Sequence, residues 1–363
     1  MERNISRTAY TLIELIALLV ILTILLGMLI PVVMAAREAS RRNRCMNNLK
    51  EIGGAVNEFY AIQGGLPPIC LYDNRPNLFA FLLPYLDQPS LYNKMVVDGL
   101  FNKATADAEV KIRPCDHQWF LQLKLEEQMM FSSITTFHCP NRRAGPAITP
   151  PDNRSETAGP LADYAGLIPT WDGKGGNWTG FVHMKEDTMD PKNLFQTCPL
   201  RLPKLTFVKE TPENRLYLCI ENWSFTDKKE RWIDGSGNQF VLAEKHVPAW
   251  TLGGRDHIKS TWDGGWHVCR PRLNHATPFN GANTARLVSA TGNLKSFDKN
   301  LPKENTFPER CGELQQLWGS DHPGILTNVL VGDGSVRPIW LNMNPALFWQ
   351  LSCVNEATTQ ATP

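Results

Sequence analysis

The pattern of apolar and polar positions divides the chain into two unequal parts. From Tyr10 to Ala36 the only charged side chain is Glu14. Within Leu15–Ile30 only Thr23 and Gly27 break a run of aliphatic side chains and methionine. As a helix, residues 10–36 rise about 40 Å, more than the ~30 Å of a bilayer's hydrocarbon core. A buried core helix would be shorter and would carry a polar stripe, which this segment lacks. The pattern predicts one membrane span over 10–36 and no other. A secretory signal peptide is the competing reading, with Met34-Ala35-Ala36 as a loose cleavage site. Glu14 tells against it, because an ionised carboxylate inside an apolar run is costly and asks for a specific partner.

Beyond the span the helix signal continues but changes character. Residues 35–42 are strong helix formers. Cys45, Leu49, Ile52, Val56 and Phe59 then recur at steps of four, three, four and three, an amphipathic stripe that should bury one face against a sheet. Gly64-Gly65 and Pro67-Pro68 end the pattern. One helix over 11–62 is expected, in lipid over 10–36 and amphipathic over 37–62.

Residues 63–363 read as a head dominated by short strands and long loops. Thr327–Val331, the turn pair Asp333-Gly334 and Ser335–Trp340 predict a closing hairpin near 325–340, since Gly accepts positive φ. Turns are also expected at Asp234–Asn238, and at Thr291-Gly292-Asn293 between strands 286–290 and 294–297. A short helix is expected within 304–318. No repeat of fixed period is present. The expected fold class is α+β, a long N-terminal helix packed on a mainly antiparallel β head.

Composition adds exclusions. The 363 residues are 42% hydrophobic and 20% charged, which rules out wholesale disorder. The net charge of +1 argues against a nucleic-acid partner. Residues 1–62 hold seven basic and five acidic side chains and the remainder 30 and 31, so no basic patch hides in the head by count. Arg37, Arg41, Arg42 and Arg44 follow the span while Arg3 and Arg7 precede it. By the positive-inside rule alone the head would be cytoplasmic.

Thr8-Ala9-Tyr10-Thr11-Leu12-Ile13-Glu14-Leu15 resembles the prepilin processing site of type IV pilins and type II secretion pseudopilins. The resemblance implies a leader over 1–9, a cut between Ala9 and Tyr10, methylation of the new Tyr10 amine, and Glu14 as the acid that pairs with a neighbouring subunit's terminus. Ala9 stands where the family usually has Gly, and Tyr10 where it usually has Phe. Pro31 falls where pilins often kink the helix, or simply marks a weak bend near the membrane surface. Further elements resemble one large bacterial family of pilin-like proteins with a domain of unknown function, described as type II secretion G-like. They are Gly65-Leu66-Pro67-Pro68, Leu83–Gln88, Phe137-His138-Cys139-Pro140, Asp163–Gly166 and a closing signature with His322, Asp333 and Gly334. That signature has nine residues between the His and the Asp-Gly pair, whereas His322 and Asp333 are separated by ten. The extra residue would reverse strand alternation unless a bulge absorbs it. The resemblance places the head in the periplasm or outside the cell, against the charge rule.

Little in the sequence supports catalysis. There is no nucleophile elbow, phosphate-binding loop or zinc-protease motif, and Gly-rich 172–177 lacks a framing strand and helix. His322 and Asp333 read either as a pair or, better, as a loop-bonded histidine and a turn-capping aspartate. His257, Asp263, His267, Cys269 and His275 match no common zinc spacing, and Asp234, Ser236 and Asn238 form only part of a calcium loop. No catalytic residue, metal ligand or cofactor is assigned. Most of the eleven Trp should be core, with an exposed glycan-binding patch as the alternative. Cys45 lies on the helix, and the eight head cysteines allow up to four disulfides in an oxidising compartment, with no pairing specified. The reading that results is a non-enzymatic single-pass inner-membrane subunit of pilin or pseudopilin type. Its partners would be the lipid bilayer, a prepilin peptidase and other pilin-like subunits. The alternative is an anchored binding module that never polymerises, and a hydrolase ranks third.

Overall fold

The computed structural model describes residues 11–71, 75–101, 117–143, 145–149, 159–170, 198–201, 203–207, 220–225, 227–245, 247, 265–267, 285–289, 318–320, 322, 326–340 and 342–354. The leader, the Gly-rich 172–177, the turn and strand expected over 291–297, and nearly all of 304–318 lie outside them.

Helix α1 (Leu12–Gln63) is 52 residues long, about 78 Å at 1.5 Å per residue. It starts at a capping box, close to the helix start expected at residue 11. Glu14 accepts from the Thr11 backbone N–H at 2.8 Å, and the Thr11 hydroxyl accepts from the Glu14 N–H at 3.4 Å. The helix runs through Pro31 and stops at Gly64, whose φ of 71° needs a residue without Cβ and whose N–H closes on the Tyr60 carbonyl. Residues 11–37 are all exposed, an apolar rod that nothing among the described residues covers. Further on, Cys45, Leu49, Ile52, Val56 and Phe59 are buried, together with Gly53 and Ala55. The stripe read from the sequence is therefore the docking face.

Short helices α2 (Leu78–Leu82), α3 (Pro89–Val97), α4 (His117–Gln122) and α5 (Leu125–Ser132) follow. They correct the expectation of loops before the first strand. The apolar run Leu78–Leu83 is continuous rather than periodic, and the other three helices have only six to nine residues, so no helical period showed. Asn77 starts α2 by accepting from the Phe79 N–H at 3.1 Å. These helices bring Phe79, Phe81, Phe120 and Phe131 into one core with Phe137 from the turn after α5, the α1 stripe and Trp266.

Two small pairs, β1 (Ile148–Thr149) with β2 (Gly159–Pro160) and β4 (Lys204–Phe207) with β5 (Ile220–Ser224), flank the main sheet. The main sheet contains β3 (Tyr164–Thr170), β6 (Phe240–Glu244), β7 (Ala285–Ser289), β8 (Leu326–Val331) and β9 (Val336–Trp340), in the order β7-β3-β6-β8-β9. It is mainly antiparallel, except that β7 runs parallel to β3. The α1 stripe covers one face. On the other, α6 (Pro345–Ser352) closes a second core with Phe348 and Trp349 against Phe240, Ala243, Val329 and Val331.

Central strand β6 is buried along its whole length. Its pairing with β8 slips between Phe240 and Leu242. The slip is a bulge, and it lets both Val241 and Leu242 enter the α1-side core while Phe240 and Ala243 face α6. The β8–β9 ladder is regular throughout, so the extra residue of the closing signature is not absorbed inside the hairpin. The hairpin loop has three residues, Gly332-Asp333-Gly334, rather than two. The Gly334 N–H returns to the Val331 carbonyl at 2.9 Å, and Gly334 adopts a φ of 90°.

This hairpin seats directly on α1. A Cβ at Gly53 would lie 2.5 Å from Leu330 Cδ1 and 3.3 Å from Gly334 Cα. Gly53→Val should therefore destabilise the head by about 1–3 kcal/mol through overpacking. Urea unfolding of the detergent-solubilised chain, followed by tryptophan fluorescence, checks this. An unchanged midpoint would mean that the hairpin does not rest on the helix.

A buried thiol, imidazole and carboxylate cluster

Four segments distant in sequence meet where α1 crosses the sheet. From α1 come Glu38, Arg41, Cys45 and Asn48. From the turn after α5 come Cys139, Asn141, Arg142 and Arg143. The sheet supplies Tyr164, Glu244 and Asn328, and the approach to β8 supplies His322.

The sheet positions three of these side chains by register. Tyr164 pairs with Glu244, and Ala243 with Val329, so Tyr164, Glu244 and Asn328 form a row across β3, β6 and β8 on the α1 face. The Glu244 carboxylate accepts from the Asn328 N–H at 2.9 Å, from Asn328 Nδ2 at 3.2 Å and from the Thr327 hydroxyl at 3.3 Å. Asn48 locks the 135–138 turn to α1 by donating to the His138 carbonyl at 2.7 Å and the Thr135 carbonyl at 3.2 Å. Asp163, fully buried, holds the next turn. It accepts from the Cys139 N–H at 2.7 Å and pairs with Arg142 and Arg143 at 3.0 and 2.9 Å. Burial alone would raise the Asp163 carboxyl. The two guanidiniums and the Cys139 N–H overcome it and hold the group well below the usual carboxylate range.

In the middle lie Cys45, Cys139, Glu244 and His322, all buried, with their donor atoms within 4.8 Å of one another. The two sulfurs are 2.7 Å apart. His322 Nε2 lies 3.7 Å from Cys139 Sγ and 3.7 Å from Glu244 Oε1. On its other side His322 Nδ1 lies 2.8 Å from Glu38 Oε1, and the Asn141 amide donates to that same oxygen at 2.9 Å. Glu38 accepts, so Nδ1 carries hydrogen and the ring is oriented with Nε2 towards the sulfurs. Arg41 completes the outer layer with an ion pair to Glu38 at 2.6 Å and a hydrogen bond to Asn141. Burial disfavours a charged imidazole, yet Cys139 and Glu244 outweigh it and push His322 up to about 10. The Cys45 thiol and His322 draw Cys139 down to about 7 against burial, while Cys45 is raised.

The residues singled out from the sequence fall in three places. Ala9 and Tyr10 lie outside the described residues, while Glu14 caps α1 and Pro31 lies within the exposed rod. His322 is in the cluster, but Asp333 is not its partner. Asp333 accepts from the Ser335 N–H at 2.8 Å and caps the hairpin turn, so the two signature residues do separate jobs. Asn238 closes its own turn on the Asp234 carbonyl at 3.2 Å. His267 packs among Trp119 and Phe120, and His257, Asp263, Cys269 and His275 lie outside the described residues. The cluster itself was missed. Cys45 read as an apolar stripe position, Cys139 as a motif letter, and Glu38 and Glu244 carried no signal. Only the juxtaposed resemblance elements around Cys139 and His322 hinted at them. Among the tryptophans, Trp119, Trp232, Trp266, Trp318 and Trp349 are core, while Trp340 is exposed.

Removing the Asp163 carboxylate strands two buried guanidiniums. Asp163→Ala should cost roughly 3–5 kcal/mol in urea unfolding. The same depressed carboxyl makes the wild-type head acid-labile. Its contribution is complete above the unfolded value near ~3.9 and is lost as the pH falls below it. Asp163→Asn should therefore show a shallower loss of stability on acidification than wild type.

A profile of the family described as "Protein of unknown function (DUF1559)" matches residues 34–345. No curated protein and no solved structure matches the chain. The matched span opens inside α1, near the end of its exposed apolar half, and closes at the first residue of α6. It contains the whole cluster and the closing hairpin, but not residues 8–15. The chain belongs to this family of proteins of unknown function.

Proposed function

We propose that the chain is a non-enzymatic, membrane-anchored pilin-like subunit. Its leader 1–9 would be removed, and its Tyr10 amine methylated, by a prepilin peptidase. One observation carries the reading: a single unbroken helix whose first part is an uncovered apolar rod and whose second part is docked on a sheet. Such a rod has two suitable surroundings, lipid and a bundle of identical rods. Glu14 fits both stages. It caps the helix through Thr11 in the uncut chain, and after cleavage it would lie within one turn of a new amine. In a staggered bundle it would instead pair with a neighbour's amine, which lowers the cost of holding both charges in lipid.

The proposed periplasmic or extracellular placement of the head draws on two points. Cys70 is disulfide-bonded, which suits an oxidising compartment. Arg41, one of four arginines that the charge rule counts towards a cytoplasmic head, is engaged by Glu38 and Asn141.

The second reading, a binding module that does not polymerise, has its own observation. A cleft of about 350 Å³ opens beside the end of α1, lined by Phe59, Phe81, Tyr85, Tyr92, Trp223 and Phe225. Aromatic faces of this kind suit stacking against a ring such as a sugar.

Intact mass and N-terminal peptide mapping of the membrane-extracted protein test the processing. Loss of 1–9 with a methyl group on Tyr10 is expected, and an intact Met1 would remove the peptidase from the account. Glu14→Ala separates the two readings. A subunit should lose assembly by cross-linking while still inserting in the membrane, whereas a solitary module should keep the same assembly state.

A further inference from the structure

The cluster of Cys45, Cys139, Glu244 and His322 has no task in either reading above, and it stands independently of them. Its composition is two soft sulfurs, one imidazole nitrogen and one carboxylate oxygen, a donor set suited to a borderline-soft ion. All four are buried, so the site is closed, as in structural rather than catalytic zinc sites. We propose that these four residues bind one zinc-class divalent cation, which clamps α1 to the sheet and to the turn after α5.

Two of the tetrahedral edges already fit the assignment. With zinc–sulfur bonds of about 2.3 Å and zinc–nitrogen bonds of about 2.0 Å, neighbouring tetrahedral ligands lie roughly 3.3–3.8 Å apart. The separations of His322 Nε2 from Cys139 Sγ and from Glu244 Oε1, both 3.7 Å, fall in that range. The sulfurs, at 2.7 Å, would open by about 1 Å when an ion enters between them.

The surroundings are those of a metal ligand shell. Glu38 accepts from His322 Nδ1, which leaves Nε2 as the donor to the ion, the carboxylate–histidine–metal arrangement. Glu244 is fixed by Thr327 and Asn328. Charge also balances. Two thiolates, a carboxylate and a neutral imidazole sum to −3, which a divalent ion reduces to −1. Arg142 and Arg143 with Asp163 contribute +1 beside Cys139.

A Cys45–Cys139 disulfide is the competing occupant of this space, with a bond length near ~2.05 Å. It would explain the sulfur contact, but it would leave His322 and Glu244 buried, oriented and without purpose. The ligands come from positions 45, 139, 244 and 322, so one ion ties together four segments distant in sequence. Zinc binding releases the protons of both thiols and of His322 Nε2 to solvent, with no change of oxidation state.

The test uses the full chain without a histidine tag, extracted in detergent from cells grown with zinc. Elemental analysis should find about one zinc per chain, and a cobalt-exchanged sample should show the thiolate-to-cobalt charge-transfer band of a tetrahedral sulfur site. A strong chelator should lower the thermal midpoint by roughly 5–10 °C, reversed by zinc. Cys45→Ser and His322→Gln should each reduce bound zinc at least tenfold. Tryptophan fluorescence identifies any variant that fails to fold, and the cobalt spectrum of the wild-type chain stands without variants. Three results overturn the proposal: a peptide joining Cys45 to Cys139 by a disulfide, a reduced protein that takes up neither zinc nor cobalt, or zinc that both folded variants retain.

Discussion

One helix has to satisfy two solvents, and the rest of the structure follows from where it changes between them. Residues 11–37 expose aliphatic side chains on every side, a state that water does not tolerate over such a length. From Cys45 the same helix presents a narrow apolar stripe and a polar back, which suits a sheet on one side and water on the other. Between the two zones lie Glu38 and Arg41, which face neither lipid nor core. They are tied to Asn141 and His322, so the helix is gripped by the head immediately beyond its apolar half.

That grip explains the layout of the sheet. A helix lying on a sheet buries best when the strands beneath it present alternate side chains to it without interruption. β6 departs from alternation at its bulge, where Val241 and Leu242 both enter the α1-side core. The departure resets the phase of the strand, so that Glu244 at its end comes up beside Tyr164 and beneath Cys45. Without the extra residue, a carboxylate at that position would face α6 and an apolar core. The bulge and the buried cluster are therefore one piece of architecture. Gly53 and the Gly332–Gly334 loop show the same economy at the other edge, where the absence of side chains lets the hairpin touch the helix backbone.

Much of this was legible in the sequence, unevenly and for physical reasons. The α1 stripe could be read residue by residue because a helix packed on a flat surface repeats its apolar positions. The closing hairpin could be read because glycine is required where φ is positive. Helices α2–α5 were not legible, since α2 is buried on all sides and carries an apolar run without a period, and α3–α5 are too short to show one. The parallel pairing of β7 with β3 was not legible either, because a strand's sequence does not reveal its partner. The cluster is the clearest case. Each of its members obeys a local rule that hides it, with Cys45 passing for a small apolar residue and Glu244 for the polar end of a strand. Only the fold makes them neighbours.

The long reach of these contacts has a consequence for how the protein is made. Glu38 and its partner His322 are separated by 284 positions, and the Gly53 seat waits for the hairpin at 332–334. A chain made from its N-terminal end presents the α1 stripe first and the closing hairpin that rests on it much later. Contacts so far apart in sequence form slowly, because the intervening chain must first be brought back on itself. Throughout that interval Leu49, Ile52, Val56 and Phe59 lack the hairpin that later rests against their helix. The contacts between α1 and the closing hairpin are thus among the last to form.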